Sequence, residues 1–520
     1  MSIHKKTRSL LVVWVVCFAF AAALLLFCSG TSPLYNGHDW TDANTYLTMA
    51  RGLLRGAVPY RDLFDHKGPL LYFIYAIGAL ISPSGFFGVF LLQAAALGTT
   101  LFFLYQIALL ILGDIPRAAV CAAVLPFFLL TESIYYLAFN LDYGGGSAEE
   151  FCLPLLSAAL WLSARCEFRG RWGRWPMLAM GVLAGCVCLI KFNLVLFWVG
   201  LLLPVFLRFL FRRQWKEFFS SLLWGAAGGL ISVTPYLIYS SVTRSLSEFF
   251  YAYILFNRTY AEAGSLTYLI VNAVEQAYRN LASLPILLFA LIALLLGLLF
   301  LRRTPPLWRV SVLLAFGALG FAIFCGRAML YTLLPLLLAV FPGAIALVGA
   351  LPRGWARGTG GALVSGALCL ALAAAAVVHN QMIFCKNFAW SGKTTCQQEM
   401  AALIRSGPYE NPTLLEAGML NRGYYNELGI TPTIYYFYLP NVSYDLHPEI
   451  LDSQLAAIEE EATDYVVLQS DLPALTPDTL PSYPIQAQLC QAALDHYQLV
   501  GVVKGTGAVD HLYYHLFVRR

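Results

Sequence analysis

Residues 36–73 read NGHDWTDANTYLTMARGLLRGAVPYRDLFDHKGPLLYF and follow the first long apolar run of the chain. The 520-residue chain is 59% hydrophobic and only 12% charged, yet this segment holds four aspartates together with histidine, arginine and lysine. Charged groups beside a bilayer are energetically costly and are usually kept for a functional reason. The segment therefore predicts a membrane protein with an active site at the membrane surface.

Apolar runs of about 20 residues recur through the first 380 positions, and the mean hydropathy of the chain is +0.67. A membrane β-barrel would instead show short alternating segments, so these runs predict a polytopic α-helical membrane protein. Lys5, Lys6 and Arg8 precede the first run as they would in a signal peptide, but no clear cleavage pattern follows. We interpret this run as a retained span with its N-terminus in the cytoplasm.

Basic residues cluster in a few short loops, which are expected to be cytoplasmic and which orient the chain in the membrane. This pattern does not indicate binding to nucleic acid. Eleven spans are predicted between these loops, at 10–29, 86–112, 118–139, 149–164, 176–191, 193–211, 219–242, 281–301, 310–325, 332–351 and 361–379. The odd number places the C-terminus outside the cell. Residues 68–82 are apolar but short for a span, so they predict a juxtamembrane or re-entrant helix in the first outer loop.

The chain divides by composition into a transmembrane domain, residues 1–379, and a small extracytoplasmic α/β domain, residues 380–520. The second part has ordinary soluble composition, with 15 acidic against 7 basic residues. A helical stretch at 456–461, a strand at 465–468 and a second strand at 511–518 are predicted there. Cys385 and Cys396 could pair if this side of the membrane is oxidising.

The segment 36–73 resembles the bacterial relatives of the protein O-mannosyltransferases and of the lipid A aminoarabinose transferases. These are type C membrane glycosyltransferases that use polyprenyl-phosphate sugars. The resemblance covers residues 1–350, and it implies a catalytic aspartate in the first outer loop, followed by a tyrosine. Asp42 and Tyr46 match this motif, but Ala43 stands where the family often has glutamate, so Asp39 or Glu149 would have to supply a second acid.

Asp42 is the predicted catalytic base, because transfer of a sugar to a hydroxyl requires a group that takes the acceptor proton. The alternative is that Asp42 only caps a helix that begins near Ala43. Asp39 is the competing candidate for the base.

Cationic side chains suit a phosphate leaving group, on which negative charge builds as the glycosidic bond breaks. Lys67, His66 and Arg61 are the predicted contacts in the first loop; the alternative is pairing with nearby aspartates or extension of the side chains to the membrane interface. Two isolated cations between apolar runs are further candidates, Lys191 and Arg327. For Lys191, an ion pair with a glutamate at the start of the fourth predicted span explains the residue equally well.

Glu149 and Glu150 follow three glycines and are predicted either to shape the sugar pocket or to begin a helix. The sequence indicates no specific cofactor and leaves a divalent cation open, because Asp39, Asp42 and Glu149 carry oxygen ligands of the type that such a cation prefers. The aromatic-rich loop 244–280 predicts an amphipathic helix on the membrane surface.

Together these features predict an inverting glycosyltransferase of the cell membrane. It would move a sugar from a polyprenyl-phosphate carrier to a lipid, glycan or protein acceptor on the extracytoplasmic face. One alternative is a transporter or lipid flippase, but the predicted charges lie at span ends and no internal repeat is visible. A second alternative is a non-catalytic envelope assembly protein whose C-terminal domain binds a partner.

Overall fold

The structure, a computed structural model, describes residues 3–83, 85–131, 144–260, 264–384, 394–506 and 509–520. Its first part is helical. The helices are α1 Ile3–Cys28, α2 Thr41–Leu54, α3 Pro69–Ile81, α4 Phe87–Leu112, α5 Ile115–Leu129, α6 Ala148–Phe168, α7 Arg174–Cys188, α8 Leu196–Phe211, α9 Trp215–Val242, α10 Leu246–Phe249, α11 Phe256–Tyr260, α12 Leu266–Ser283, α13 Pro285–Phe300, α14 Pro306–Phe324, α15 Val340–Ala350 and α16 Gly358–Asn380. Short 3-10 segments occur at Phe192–Val195, Leu330–Ala339, Arg353–Ala356 and Met382–Phe384, and a π-helical turn at Phe250–Leu255.

Eight helices of the described part are long and apolar enough to cross a membrane, or nine if α12 and α13 form one bent span. Three of the predicted spans, 118–139, 176–191 and 281–301, correspond to the shorter helices α5, α7 and α13. The last part of the first of these predicted spans, residues 132–139, lies outside the described residues. The polytopic α-helical membrane fold is therefore confirmed, whereas the number of eleven crossings stays a prediction.

Two prolines explain where helices α3 and α13 begin. Pro69 occupies the first turn of α3, where the missing N–H costs no intrahelical hydrogen bond. Pro285 likewise begins α13, and the axes of α12 and α13 differ by 105° at the break between them. The 13-residue α3 agrees with the short helix predicted at 68–82.

The aromatic-rich segment 244–280 differs from the single amphipathic helix that the sequence predicts. It forms two helical stretches, of which the first runs from α10 through the π-helical turn to α11. In that first stretch Phe249, Tyr253 and Phe256 are buried inside the protein. α12 exposes a row of large apolar side chains, such as Ile270 and Val274, and fits the predicted surface helix.

The C-terminal region, residues 394–520, contains a small α/β fold as predicted. Its elements are α17 Cys396–Arg405, β1 Leu414–Ala417, α18 Tyr424–Leu428, α19 Pro448–Glu459, β2 Tyr465–Ser470, α20 Pro484–His496, β3 Tyr497–Lys504 and β4 Tyr513–Arg519. The strands form one sheet in the order β1-β2-β4-β3; β1 and β2 are parallel, and β4 is antiparallel to both of its neighbours. Cys385 lies outside the described residues, so its pairing with Cys396 stays a prediction.

Side chains of α2 bind the C-terminal region directly. The Asn426 side chain donates to the backbone oxygen of Asn44 at 2.8 Å, and the Arg51 guanidinium donates to the backbone oxygen of Asn426 at 2.7 Å. These groups are buried, where hydrogen bonds must be made within the protein. The C-terminal region is therefore docked on the helix that carries Asp42.

Candidate active site

Asp42 lies in the first turn of α2, where its negative charge is favoured by the helix dipole. The helix begins at Thr41 and its N-cap is Trp40, so the prediction that Asp42 caps the helix is wrong. The Asp42 carboxylate accepts hydrogen bonds from the hydroxyls of Tyr46 at 3.0 Å and Tyr331 at 3.4 Å. Its side chain is still 28% exposed, so an incoming group can reach it.

Lys67 lies beside this carboxylate, with 3.8 Å between its Nζ and Oδ2 of Asp42. Burial by itself would lower the pKa of Lys67, but the negative charges around it, including those of Asp42, Asp65 and Glu149, outweigh burial and raise that pKa above its ordinary value. The side chain therefore remains a cation. His66 contacts it as well, with 3.1 Å between His66 Nε2 and Lys67 Nζ.

Asp65 and His66 hold the loop around Lys67. The Asp65 carboxylate accepts hydrogen bonds from the hydroxyls of Tyr72 at 2.8 Å and Tyr438 at 2.9 Å, and from the backbone N–H of His66 at 2.7 Å. Burial lowers the pKa of His66, and the neighbouring lysines lower it further, so the imidazole is neutral near pH 7. A neutral ring whose Nε2 accepts from Lys67 carries its proton on Nδ1, which faces Asp65 Oδ1 at 3.4 Å.

Lys191 and Glu149 form an ion pair close to the same site. Glu149 is buried in the first turn of α6, and Lys191 follows the end of α7. The Lys191 ammonium also lies 5.8 Å from the ring centroid of Tyr331, whose hydroxyl binds Asp42. We call Asp42, Asp65, His66, Lys67, Glu149 and Lys191 together the charged cluster.

Backbone hydrogen bonds fix the two lysines relative to each other. The N–H of Gly68 donates to the oxygen of Ile190 at 3.2 Å, and the N–H of Leu70 donates to the oxygen of Leu189 at 3.0 Å. A Cβ at position 68 would clash with the carbonyl oxygens of both Leu189 and Ile190, so only glycine permits this close approach. The glycine after Lys67 therefore sets the distance between the two cationic segments.

Two of the predicted acids bind partners outside the charged cluster. Asp39 is buried and accepts a 3.0 Å hydrogen bond from the Gln397 side chain of the C-terminal region. Glu150 completes a capping box with Ser147 at the start of α6 and accepts a 2.5 Å hydrogen bond from Gln93. Both contacts position backbone segments around the site.

Two of the predicted cations bind elsewhere. Arg61 is exposed and binds the Asp62 carboxylate and the backbone oxygen of Thr243, each at 2.8 Å. The guanidinium of Arg327 donates to the backbone oxygen of Asn441 at 3.0 Å and lies over the Tyr260 ring. Among the contacts of the described residues, neither arginine touches the charged cluster.

Residues 66–239 match the family model described as dolichyl-phosphate-mannose-protein mannosyltransferase. Two crystal structures of ArnT from Cupriavidus metallidurans superpose with TM-scores of 0.54, for the form bound to undecaprenyl phosphate, and 0.55, for the apo state. Each alignment covers 99% of this chain and 98% of the ArnT chain, at 14% and 13% identity. The chain has the fold of the type C membrane glycosyltransferases.

A third structure agrees with this fold. Arabinofuranosyltransferase AftD from Mycobacteria superposes with a TM-score of 0.51 at 16% identity, over 97% of this chain and 40% of AftD. No curated protein sequence matches the chain. The predicted resemblance to type C enzymes related to the protein O-mannosyltransferases is thus confirmed.

One aspartate and two tyrosines of this candidate site, Asp65, Tyr331 and Tyr438, were not among the predicted site residues. Asp65 was considered only as an ion-pair partner, although it anchors the loop beside Lys67. Tyr331 comes from the 3-10 segment Leu330–Ala339 and donates to Asp42 of α2. Tyr438 comes from the C-terminal region and donates to Asp65. The run of aromatic residues around Tyr438 in the sequence is the one signal that could have indicated it.

The predicted divalent-cation ligands are not brought together. Within the described ranges, no three histidine, cysteine, aspartate or glutamate side chains form a group that could hold a metal ion. Asp39 instead binds Gln397, Asp42 binds two tyrosines, and Glu149 binds Lys191. Dependence on a divalent cation stays a prediction.

Proposed function

We propose that the protein is an inverting glycosyltransferase that moves a sugar from a polyprenyl-phosphate carrier to a hydroxyl acceptor. The match to a mannosyltransferase family model and the fold shared with ArnT support a membrane enzyme with a lipid-linked donor. ArnT was solved with undecaprenyl phosphate bound, which supports the same class of carrier here. The transferred sugar is a hexose or a pentose.

The position of Asp42 beside Lys67 is the observation that carries this proposal. A partly exposed carboxylate that faces a cation provides a base for the acceptor and a positive charge for the leaving group within one site. Tyr46 and Tyr331 both donate to Oδ2 of the carboxylate and so fix its direction. This arrangement favours direct displacement.

In that reaction the acceptor oxygen forms a bond to the anomeric carbon from the face opposite the phosphate. The bond between that carbon and the phosphate oxygen breaks, and its electrons go to the leaving polyprenyl phosphate. The acceptor proton passes to Asp42. The phosphate gains one negative charge, which Lys67 and Lys191 stabilise, and the anomeric configuration inverts.

The site is proposed to face the outside of the cell. The basic loops predicted to be cytoplasmic lie at the opposite ends of the helices from the first loop, and the C-terminal region docks on that loop. The N-terminus would then be cytoplasmic and the C-terminal region extracytoplasmic. The acceptor is a lipid, glycan or protein hydroxyl on that face.

The proposal is tested by measuring transfer from radiolabelled polyprenyl-phosphate sugars into membrane extracts with wild-type protein and Asp42→Asn at matched expression. Asparagine keeps the size of the side chain but cannot take the proton, so we expect transfer to fall by about a hundredfold or more. Asp114→Asn is the matched control, because Asp114 caps α5 and asparagine caps a helix equally well.

Two results would contradict the proposal at different points. Wild-type transfer by Asp42→Asn would show that Asp42 is not the base, and Asp39 would be tested next. A wild-type protein that is folded but transfers no sugar from any of the donors would overturn the glycosyltransferase function itself.

A further inference from the structure

A cavity of about 490 Å³ lies next to the charged cluster. It is bordered by α11 and α12, by the turn at Gly326, and by residues 441–446 of the C-terminal region. Its volume is within the range of about 300–1,000 Å³ that is usual for small-molecule sites. Most of its lining side chains are polar: Tyr260, Tyr268, Asn272, Gln276, Arg327 and Ser443.

The lining of this cavity suits a ligand with many hydroxyl groups. Asn and Gln amides offer donors and acceptors together, and tyrosine combines a flat apolar ring with a hydroxyl. Among the residues that the structure describes, the ten that line the cavity include one arginine and no carboxylate, and Val442 and Leu446 are the two that add large apolar surface. Binding sites for apolar molecules are lined mainly by hydrophobic side chains, so a lipid chain fits this cavity poorly.

Tyr260 forms the wall between the cavity and the charged cluster. The centroid of its ring lies 4.9 Å from that of His66, and the Arg327 guanidinium carbon lies 5.6 Å from the Tyr260 centroid on the cavity side. His66 in turn contacts Lys67, which lies beside Asp42. A ligand in the cavity would therefore end close to the proposed base.

We propose that this cavity binds the acceptor and that the acceptor is a glycan. The proposal rests on the glycosyltransferase function above and specifies its acceptor class. Arg327, which the sequence suggested as a phosphate contact, is assigned to the acceptor, because it lines the cavity and binds Asn441 and Tyr260. The terminal hydroxyl of the glycan would reach past Tyr260 to Asp42.

The test measures direct binding of soluble probes to the purified full-length chain in detergent by saturation-transfer NMR and calorimetry. The probes are tetrasaccharides of mannose and of N-acetylglucosamine and, for comparison, a serine- and threonine-rich peptide. Tyr268→Ala and Gln276→Leu remove hydrogen-bonding groups from the cavity. Tyr278→Ala is the matched control, because Tyr278 is an exposed tyrosine of the same helix that does not line the cavity.

We expect at least one tetrasaccharide to bind to the wild type and to Tyr278→Ala with equal affinity, and about tenfold more weakly to each cavity variant. The same variants should raise the KM for the acceptor and leave the KM for the donor unchanged. Absence of tetrasaccharide binding, or equal affinity in all variants, would overturn the proposal, as would binding of the peptide alone.

Failure of this inference can be told apart from failure of the proposed function. A chain that transfers sugar normally but has no cavity-dependent glycan binding retains the function and loses the acceptor site. A chain that binds the glycan through Tyr268 and Gln276 but transfers nothing retains the site and loses the function. Asp42→Asn should bind the tetrasaccharide as the wild type does.

Discussion

The hydroxyl of Tyr438 donates a 2.9 Å hydrogen bond to the carboxylate of Asp65, which lies 373 residues earlier in the chain. Both groups are buried. Asp65 in turn binds the backbone of His66, which precedes Lys67. The C-terminal region therefore takes part in placing the cation next to Asp42, and its docking and the geometry of the charged cluster depend on each other.

Tyr438→Phe removes this hydrogen bond with no change in ring size. Burial already raises the pKa of Asp65, and the lost donor would raise that pKa further. We expect a loss of about 1–2 kcal/mol in the free energy of unfolding and a clear drop in sugar transfer, measured by thermal melting and by the radiolabel assay. The control is Tyr444→Phe, which removes a 2.9 Å bond to Asp452 on the exposed surface and should change neither quantity measurably. Equal effects of the two substitutions would contradict the role of Tyr438.

Gly68→Ala tests whether the close approach of the two lysine segments matters. The added methyl group would clash with the carbonyl oxygens of Leu189 and Ile190, so residues 66–70 must move away from Lys191. We expect a stability loss of about 1–3 kcal/mol and a larger loss of transfer than of stability, measured on the same samples. Gly366→Ala, in α16 with open space around its Cβ, is the control and should be neutral or slightly stabilising. Wild-type transfer by Gly68→Ala would show that this spacing is not needed.

The sequence predicted local relationships better than distant ones. Asp42 and Tyr46 are four residues apart and therefore meet on one face of α2, which the motif implied. For Lys191 the sequence left two alternatives, a phosphate contact and an ion pair with a glutamate, and the structure contains the ion pair. Both side chains stood out in the sequence because charged residues are rare among the apolar runs. The membrane-spanning helical character of the chain followed in the same way from hydrophobicity and length, whereas the number of eleven crossings stays a prediction.

The docking of the C-terminal region could not be predicted in this way. The bonds from Tyr438 to Asp65 and from Gln397 to Asp39 join residues 373 and 358 positions apart. Neither tyrosine nor glutamine carries a pattern that specifies its partner, because the pairing depends on how one folded part rests on another. Arg61 and Arg327 resembled Lys67 in the sequence, but each binds a partner outside the charged cluster. These pairings could not be predicted for the same reason.

A double substitution of Lys191 and Glu149 separates the structural role of their ion pair from its proposed role in binding the donor. Removal of either partner leaves a largely buried charge without its counter-ion, so Lys191→Met and Glu149→Gln should each lower the melting temperature. The double variant should recover most of that stability, because both charges are gone. Since Lys191 is proposed to hold the donor phosphate, the double variant should still show a donor KM raised by about tenfold. Full recovery of donor affinity would assign the pair a purely structural role.

Glu416 in strand β1 should make the stability of the protein depend on pH. It is fully buried, and burial raises its pKa from an ordinary value of 4.5 to about 8. The unfolded chain therefore releases this proton at lower pH than the folded chain does. Between pH 4.5 and about 8 the unfolded state binds fewer protons at Glu416 than the folded state does. The contribution of Glu416 to the free energy of unfolding is therefore complete below this pH range and decreases as pH rises through it.

Glu416→Gln cannot titrate, so it should remove that part of the pH dependence. We expect the melting temperature of the wild type to decrease by several degrees more than that of Glu416→Gln when both are taken from pH 5 to pH 8. Glu399→Gln serves as the control, because Glu399 is an exposed carboxylate of α17 and its loss should leave the wild-type slope in place. Parallel pH profiles for the wild type and Glu416→Gln would contradict this prediction, because they would show that Glu416 is ionised in the folded protein throughout this range. In that case the hydrogen bond that Glu416 accepts from the backbone N–H of Arg422 at 2.7 Å would outweigh the cost of burial.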